Sequence, residues 1–232
     1  MSSFFHTYSA LDGKIAYYRG LKVGSSTILT WINLINNPEL RLTHPDLYDT
    51  KHWYYNEETS QALHKNKDEI RKKDLIFLPK EPYEAPGGQK FLLPVVPPNN
   101  EVRFCIVRDP VERFISGYAN RVCKESIMSN VSISDFINNI DYYFWKYQNI
   151  ESHFSPMIFT YGQDPSIYTN IYNIKQMPEI KKMLESYSGP LPDLTVNRTR
   201  PTVKSSISLT DAQINYIKRR YAIDYEVYGE WL

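Results

Sequence analysis

The sequence is poor in the residue types that build several common scaffolds and sites. It has two cysteines, Cys105 and Cys123, which are too few for a disulfide framework or a cysteine-based zinc site. Its five histidines show no H-E-x-x-H spacing, so we expect no bound metal. The formal net charge is only +1, which excludes an overall nucleic-acid-binding character but leaves room for a local basic pocket.

Long apolar segments are missing as well. No stretch approaches the roughly 18 apolar residues that span a bilayer, and the N-terminal M-S-S-F-F-H-T-Y-S-A lacks the blocks of a signal peptide. We therefore expect a cytoplasmic protein without membrane insertion; a Golgi lumenal protein lacking its anchor is the alternative. Apolar residues make up 42% and charged residues 23% of the chain, which predicts a single globular domain over residues 1–232.

Two strand–turn–helix units stand out. In the first, the aromatic and branched residues 14–21 predict a strand, and residues 26–36 carry the apolar face of an amphipathic helix. In the second, the strand is predicted at residues 102–107. The helix after it is predicted to start with Asp109 as N-cap and Glu112 three residues later, in a capping-box arrangement.

The remaining segments continue this alternation of strands and helices. The sequence predicts helices near 57–73, 134–148 and 178–187, and a last helix that Thr210-x-x-Gln213 starts. It predicts strands near 75–78 and 167–172, and a proline-rich loop, irregular hairpin or flap at 79–100. Such alternation predicts an α/β fold of three layers, with a mainly parallel central sheet flanked by helices on both faces.

The turn after the first strand combines a lysine, a glycine and three hydroxyl residues, Lys22-Val23-Gly24-Ser25-Ser26-Thr27. In a parallel sheet, ligands bind beyond the carboxyl ends of the strands, where this turn is expected to lie. Unpaired N–H groups and the helix dipole favour an anion at a helix N-terminus, and lysine adds a charge. The set predicts an anion site, although a single serine here would only cap the helix.

The order of these residues argues against the two commonest nucleotide loops. A Walker A loop reads G-x-x-x-x-G-K-[ST], with the lysine after the second glycine, whereas Lys22 precedes Gly24. The dinucleotide fingerprint G-x-G-x-x-G does not occur in the turn. The turn thus has the parts of a phosphate-binding loop in a different order.

That order resembles the sulfotransferases, which use 3′-phosphoadenosine 5′-phosphosulfate (PAPS) as donor. Their 5′-phosphosulfate loop commonly reads Pro-Lys-x-[Ala/Gly]-x-[Ser/Thr]-[Ser/Thr/Asn], and residues 21–27 are similar except that Leu21 replaces the proline. The resemblance implies a P-loop-like fold in which residues 22–27 bind the donor. It also implies that Lys22 is catalytic, because its charge stabilises the oxygen of the leaving phosphate.

A second motif strengthens the resemblance. Arg108-Asp109-Pro110-x-x-Arg113-x-x-Ser116 is similar to the 3′-phosphate motif of the carbohydrate sulfotransferases. Arg108 stands at a predicted strand end with a planar guanidinium suited to a phosphate, and Ser116 lies two turns into the helix. Alternatively, Arg108 forms an ion pair with a neighbouring carboxylate and Ser116 is only a surface residue.

Weaker similarities point to the Golgi carbohydrate sulfotransferases. His153 and Pro156 are similar to a His-x-x-Pro segment of that branch, and residues 221–229 to its C-terminal segment. The resemblance therefore implies sulfuryl transfer from PAPS to a hydroxyl, most simply of a carbohydrate acceptor, with release of adenosine 3′,5′-bisphosphate. It implies no metal and no nucleic-acid partner.

The acceptor hydroxyl needs a general base, and histidine suits this role best near pH 7. In this branch the base usually falls between the two motifs, which gives His44 as the first candidate and His52 as the second. His64 lies in the charged helix and is expected to be exposed. A glutamate, Glu57 or Glu58, is the alternative, as in some heparan sulfotransferases.

Other residues are assigned by their position and type. A basic loop is predicted to close over the adenosine or its 3′-phosphate, or else to be simply exposed, through Arg198, Arg200 and Lys204. Three residues are predicted either to contact the acceptor or to pack in the core, namely His153, Trp53 and Tyr55. Two other functions stay open: a nucleotide-dependent kinase of related fold, and a non-catalytic nucleotide- or glycan-binding protein. The oligomeric state is not predicted.

Overall fold

The architecture is a mixed α/β fold built on a four-stranded sheet. The computed structural model describes residues 7–36, 38, 83–84, 90–91, 100–123, 128, 130–194 and 207–232. The sheet contains, in spatial order, β1 (Thr7–Ala10), β2 (Ile15–Tyr18), β5 (Val102–Val107) and β6 (Asn170–Asn173). β1 is antiparallel to β2, whereas β2, β5 and β6 are parallel. A separate antiparallel pair is formed by β3 (Tyr83–Glu84) and β4 (Lys90–Phe91).

Helices connect and cover these strands. In chain order they are α1 (Ser25–Asn36), α2 (Pro110–Gly117), α3 (Ile133–Asn138), α4 (Ile140–Lys146), α5 (Gln148–Glu151), α6 (Ile158–Tyr161), α7 (Met177–Ser188), α8 (Asp211–Arg220) and α9 (Ala222–Tyr228). A π-helical turn extends α2 over Tyr118–Val122, and 3₁₀ turns occupy Pro165–Ile167, Ile174–Gln176 and Gly229–Trp231.

The central strands bury both of their faces. Because side chains alternate along a strand, Tyr17 and Phe104 face one side of the sheet while Tyr18 and Cys105 face the other. The first face packs on α1 and α7 through Ile28, Trp31, Ile180 and Leu184. The second packs on α6 and α9 through Ile158, Tyr161 and Tyr228. The sheet is therefore flanked by helices on both faces, as the sequence predicts.

The boundaries follow the local signals. β5 matches the predicted strand 102–107, and α1 begins one residue earlier than predicted. The strand predicted near 167–172 starts only at Asn170, because Asp164 caps a 3₁₀ turn that begins with Pro165. The predicted helix 57–73 and strand 75–78 lie outside the described residues. β1, with only four residues before a turn, was not predicted at all.

The carboxyl ends of the three parallel strands meet at one edge of the sheet. Tyr18, the last residue of β2, pairs with Cys105, and Val107 at the end of β5 pairs with Asn173 at the end of β6. The segments that leave this edge begin at Arg19, Arg108 and Ile174. The two anion-binding turns predicted from the sequence are therefore brought to the same edge.

Candidate functional site

The first turn, residues 19–24, is shaped by its backbone. Lys22 and Gly24 adopt left-handed conformations, with φ of 66° and 82°. The N–H of Thr27 donates to the Gly24 carbonyl over 3.1 Å, which closes the turn onto the start of α1. The amides at the beginning of α1 and the positive end of its dipole lie at this edge of the sheet, where they favour an anion.

Side chains of the first turn face inward more than the sequence suggests. Tyr17 donates a 3.0 Å hydrogen bond to the Ser25 hydroxyl, which itself donates to the Gly20 carbonyl. Val23 is fully buried in the core, and Thr27 is nearly so. Ser25 and Val23 are thus available to an anion only through the backbone, while Ser26 is half-buried at the start of the helix.

Gly20 is required by a close approach. A Cβ atom there would lie 1.8 Å from the hydroxyl oxygen of Tyr161, a residue of α6. The same hydroxyl donates a 2.7 Å hydrogen bond to the carbonyl of Ile106 in β5. Tyr161 therefore fixes the first turn relative to the strand that leads into the second.

The second turn, residues 108–109, reaches the first directly. Nη1 of Arg108 donates to the carbonyl oxygen of Lys22 over 3.2 Å, although the two residues are 86 positions apart in the chain. Nε of Arg108 lies 3.4 Å from the carboxylate of Glu112. Burial lowers the pKa of Arg108, and the charge of Glu112 opposes that effect. The ion pair that the sequence left open therefore forms, and Nη1 of Arg108 still reaches the first turn.

The helix after the second turn starts as predicted. Asp109 Oδ1 accepts a 3.0 Å hydrogen bond from the N–H of Glu112, and Pro110 begins α2. This bond is the Asp109 half of the predicted capping box. The Glu112 carboxylate contacts Arg108 and Lys175. Oδ2 of Asp109 also accepts a 2.9 Å bond from Tyr225 of α9, which ties the C-terminal segment to this turn.

The inner face of α2 contacts the segment that contains His153. Ser116 is 4% exposed, and a Cβ on the next residue, Gly117, would lie 3.4 Å from the carbonyl oxygen of His153. Arg113, also 4% exposed, donates to the carbonyl of Ser155 and lies over the ring of Tyr221 at 5.5 Å. The two predicted residues Ser116 and His153 therefore belong to one packed unit.

His153 lies in a cationic environment. Its side chain is 8% exposed, and its pKa is lowered from 6.5 to about 3. Burial is the largest cause, followed by the positive charges of Arg121, Lys22, Arg113 and Arg19. Because all four charges act on the same imidazole, residues from the first turn, from α2 and from the π-helical turn after it converge around it.

This convergence leaves buried polar atoms without partners. Nε of Arg19, Nε of Arg113 and Nδ1 of His153 are buried and have no hydrogen-bond partner among the described residues. Buried donors of this kind are costly unless a ligand pairs with them, and an anion is the ligand that cations favour. Arg19 and Arg121 were missed by the sequence analysis; Arg113 stood in the quoted motif but was given no role.

The comparison with protein families agrees with this geometry. A model described as "Sulfotransferase family" matches residues 6–229, nearly the whole chain. The chain belongs to the sulfotransferase family. No curated protein and no solved structure matches it at a significant level. As a sulfotransferase, the protein is a transferase of sulfuryl groups, and its acceptor carries a hydroxyl.

Several predicted site residues of this sulfotransferase lie outside the described residues. They include both candidate bases, the aromatic acceptor residues and the basic loop: His44, His52, Trp53, Tyr55, Arg198, Arg200 and Lys204. Their roles stay predictions. Within the described part of the chain, no group of three potential metal ligands occurs. No described helix is long and apolar enough to cross a bilayer.

Proposed function

We propose that this sulfotransferase transfers the sulfuryl group of PAPS to a hydroxyl of a carbohydrate, releasing adenosine 3′,5′-bisphosphate. The observation that carries the proposal is the 3.2 Å hydrogen bond from Arg108 to the carbonyl of Lys22. It brings the two turns that were predicted to bind anions into contact, which supports a single site for both anionic groups. PAPS carries its 5′-phosphosulfate and its 3′-phosphate on a single ribose, so its two anionic groups need neighbouring sites.

The residues at the edge of the sheet fit such a donor. The backbone amides of residues 24–27 and the ammonium group of Lys22 would hold the 5′-phosphosulfate in a P-loop-like manner. Arg108 and Ser116 would hold the 3′-phosphate, and two further cations, the buried Arg113 and the half-buried Arg19, add positive charge nearby. The donor supplies the activated sulfuryl group; binding and charge stabilisation come from the protein.

The backbone of Lys22 supports its proposed role. It lies in the turn after β2 in a left-handed conformation, and its carbonyl oxygen accepts a hydrogen bond from Arg108. Negative charge builds on the bridging oxygen of the leaving phosphate during transfer, and a preorganised ammonium group stabilises it. In this proposal the acceptor hydroxyl is deprotonated by His44 or, second, by His52, while Trp53 and Tyr55 contact the sugar.

Thermal unfolding with added nucleotides tests the donor site. A ligand that binds only the folded protein adds about 2.7 kcal/mol of stability at 100 times its dissociation constant. We expect adenosine 3′,5′-bisphosphate to raise the melting temperature, and ATP with Mg²⁺ to raise it less. A melting temperature that rises only with ATP and Mg²⁺ would instead favour the alternative hypothesis of a nucleotide-dependent kinase.

The Arg108→Ala variant is the matched control for this measurement. Hydrogen bonds to charged groups contribute about 1.5–3 kcal/mol each, so the variant is expected to bind the bisphosphate about 10- to 100-fold more weakly. An unchanged shift would mean that the second turn is only structural. If the bisphosphate binds but no sulfated product forms from PAPS and a panel of glycans, a non-catalytic binding protein becomes the better description.

A further inference from the structure

His153 is a buried polar residue that the proposed roles of the two turns leave unused. Its side chain is 8% exposed, yet Nδ1 is buried and has no hydrogen-bond partner among the described residues. A buried nitrogen that could bond and does not costs free energy in the folded state. We therefore expect the ligand to supply a hydrogen-bonding group for Nδ1.

The backbone around His153 is held by two contacts with α2 and by a third with Tyr221, between α8 and α9. Its carbonyl lies close to Gly117, the residue after Ser116. Arg113 donates to the carbonyl of Ser155, and Tyr221 donates to the carbonyl of Phe154. The imidazole is therefore positioned by the same helix that carries the predicted 3′-phosphate ligand Ser116.

Charge around the imidazole favours an anionic partner. Arg121, Lys22, Arg113 and Arg19 all act on it electrostatically, and burial removes it from water. A neutral imidazole can donate one N–H to an anion without adding to the positive charge. It therefore supplies a directional donor where a further cation would be repelled.

We infer that His153 binds the donor nucleotide, donating a hydrogen bond from Nδ1 to its 3′-phosphate beside Ser116. The inference rests on the proposed function and gives His153 a role on the donor side, whereas the sequence left open contact with the acceptor or packing in the core. It also separates His153 from the general base, since a histidine whose pKa lies near 3 is a poor proton acceptor at pH 7.

Two ligands and two nearly isosteric variants test the inference. Adenosine 3′,5′-bisphosphate and adenosine 5′-monophosphate differ only in the 3′-phosphate, so the ratio of their affinities isolates the contribution of that group. His153→Asn keeps an N–H donor close to the position of Nδ1, whereas His153→Leu has a similar size and no donor. Affinities are measured by calorimetry or by competition on the full chain.

We expect His153→Leu to lower the affinity ratio at least tenfold, mainly by weakening the bisphosphate, and His153→Asn to keep it within about threefold. Should the leucine variant not fold, His153→Gln replaces it, because its amide nitrogen lies nearer to the Nε2 position and is expected to lower the ratio too. A ratio that is unchanged, or a parallel loss for both nucleotides, overturns the inference alone. A wild-type protein that binds neither nucleotide overturns the proposed function as well.

Discussion

The two turns lie at the same edge of the sheet, but the first is shaped by its backbone and the second by its side chains. The first is built from backbone: it needs left-handed conformations at Lys22 and Gly24, and its serine hydroxyl is used to hold the Gly20 carbonyl. The second is built from side chains, since Arg108 reaches across to the first turn and Asp109 caps α2.

Because of this difference, substitutions are expected to affect the two turns in different ways. The first turn tolerates a substitution only if its backbone keeps the same path. A substitution that displaces this backbone is therefore expected to lower folding stability first. The second turn keeps its backbone path when the Arg108 side chain is removed, so that loss appears first as lost affinity. Substitutions at Gly20 and at Arg108 should therefore separate stability from binding.

The largest effect is expected at Gly20. A Cβ in Gly20→Ala would lie 1.8 Å from the hydroxyl oxygen and 2.6 Å from Cζ of Tyr161, a buried ring whose hydroxyl is bonded to β5. Overpacking of this kind costs about 3 kcal/mol of folding free energy. Urea denaturation measures the loss, and the wild-type slope with denaturant should be retained.

Gly229→Ala is the matched control. A Cβ at Gly229 meets nothing within 4 Å, and its φ of −56° suits any residue. The change is expected to leave the free energy of unfolding within about 1 kcal/mol of the wild type. Equal stability of the two alanine variants would show that the first turn can move away from Tyr161, and that its backbone path is not fixed as we infer.

Much of the local structure could be predicted from sequence, because its signals involve residues close together in the chain. The strand–turn–helix units, the N-cap at Asp109 and the capping box of Thr210 with Gln213 each depend on residues a few positions apart. Both halves of the latter box form, with bonds of 3.3 and 2.9 Å. Patterns of this range are visible without knowing the fold.

The arrangement of charges around His153 depends instead on contacts between segments that are distant in the chain. Arg19, Arg113 and Arg121 gather around His153 only because β2 and β5 are neighbours and because α2 packs on the segment after α5. Nothing in the spacing of these residues predicts that convergence. The same holds for Ser25, whose inward hydroxyl follows from the position of Tyr17 in the strand beneath it.

The next largest effect is expected at Lys22, which contributes both a left-handed backbone and a positive charge to the first turn. Its left-handed φ of 66° costs a non-glycine residue about 1 kcal/mol, which Lys22→Gly removes and Lys22→Ala does not. Both variants lose the ammonium group, and we expect turnover to fall about 100-fold in both. Steady-state kinetics with PAPS measures this loss.

In both lysine variants the bisphosphate should still bind, because the backbone of the turn and Arg108 remain. The alanine variant should be the less stable of the two. Turnover close to that of the wild type in either variant would remove Lys22 from the proposed mechanism. Glycine and alanine variants of equal stability would instead show that the turn relaxes and is less dependent on its backbone than we infer.

The smallest effect is expected at Asp109, in the turn built from side chains. Asp109→Ala removes the cap from the Glu112 N–H and the acceptor for Tyr225, and loss of an N-cap costs about 1 kcal/mol. Asp109→Asn keeps a cap oxygen and a polar partner for Tyr225, so it should cost less. Chemical denaturation ranks the two variants, and bisphosphate affinity is measured on the same samples.

Because Arg108 precedes the cap and is held independently by Lys22 and Glu112, affinity should fall less than threefold in either variant. A larger loss of affinity than of stability would mean that Asp109 helps to bind the nucleotide, and that the second turn, like the first, acts as one unit.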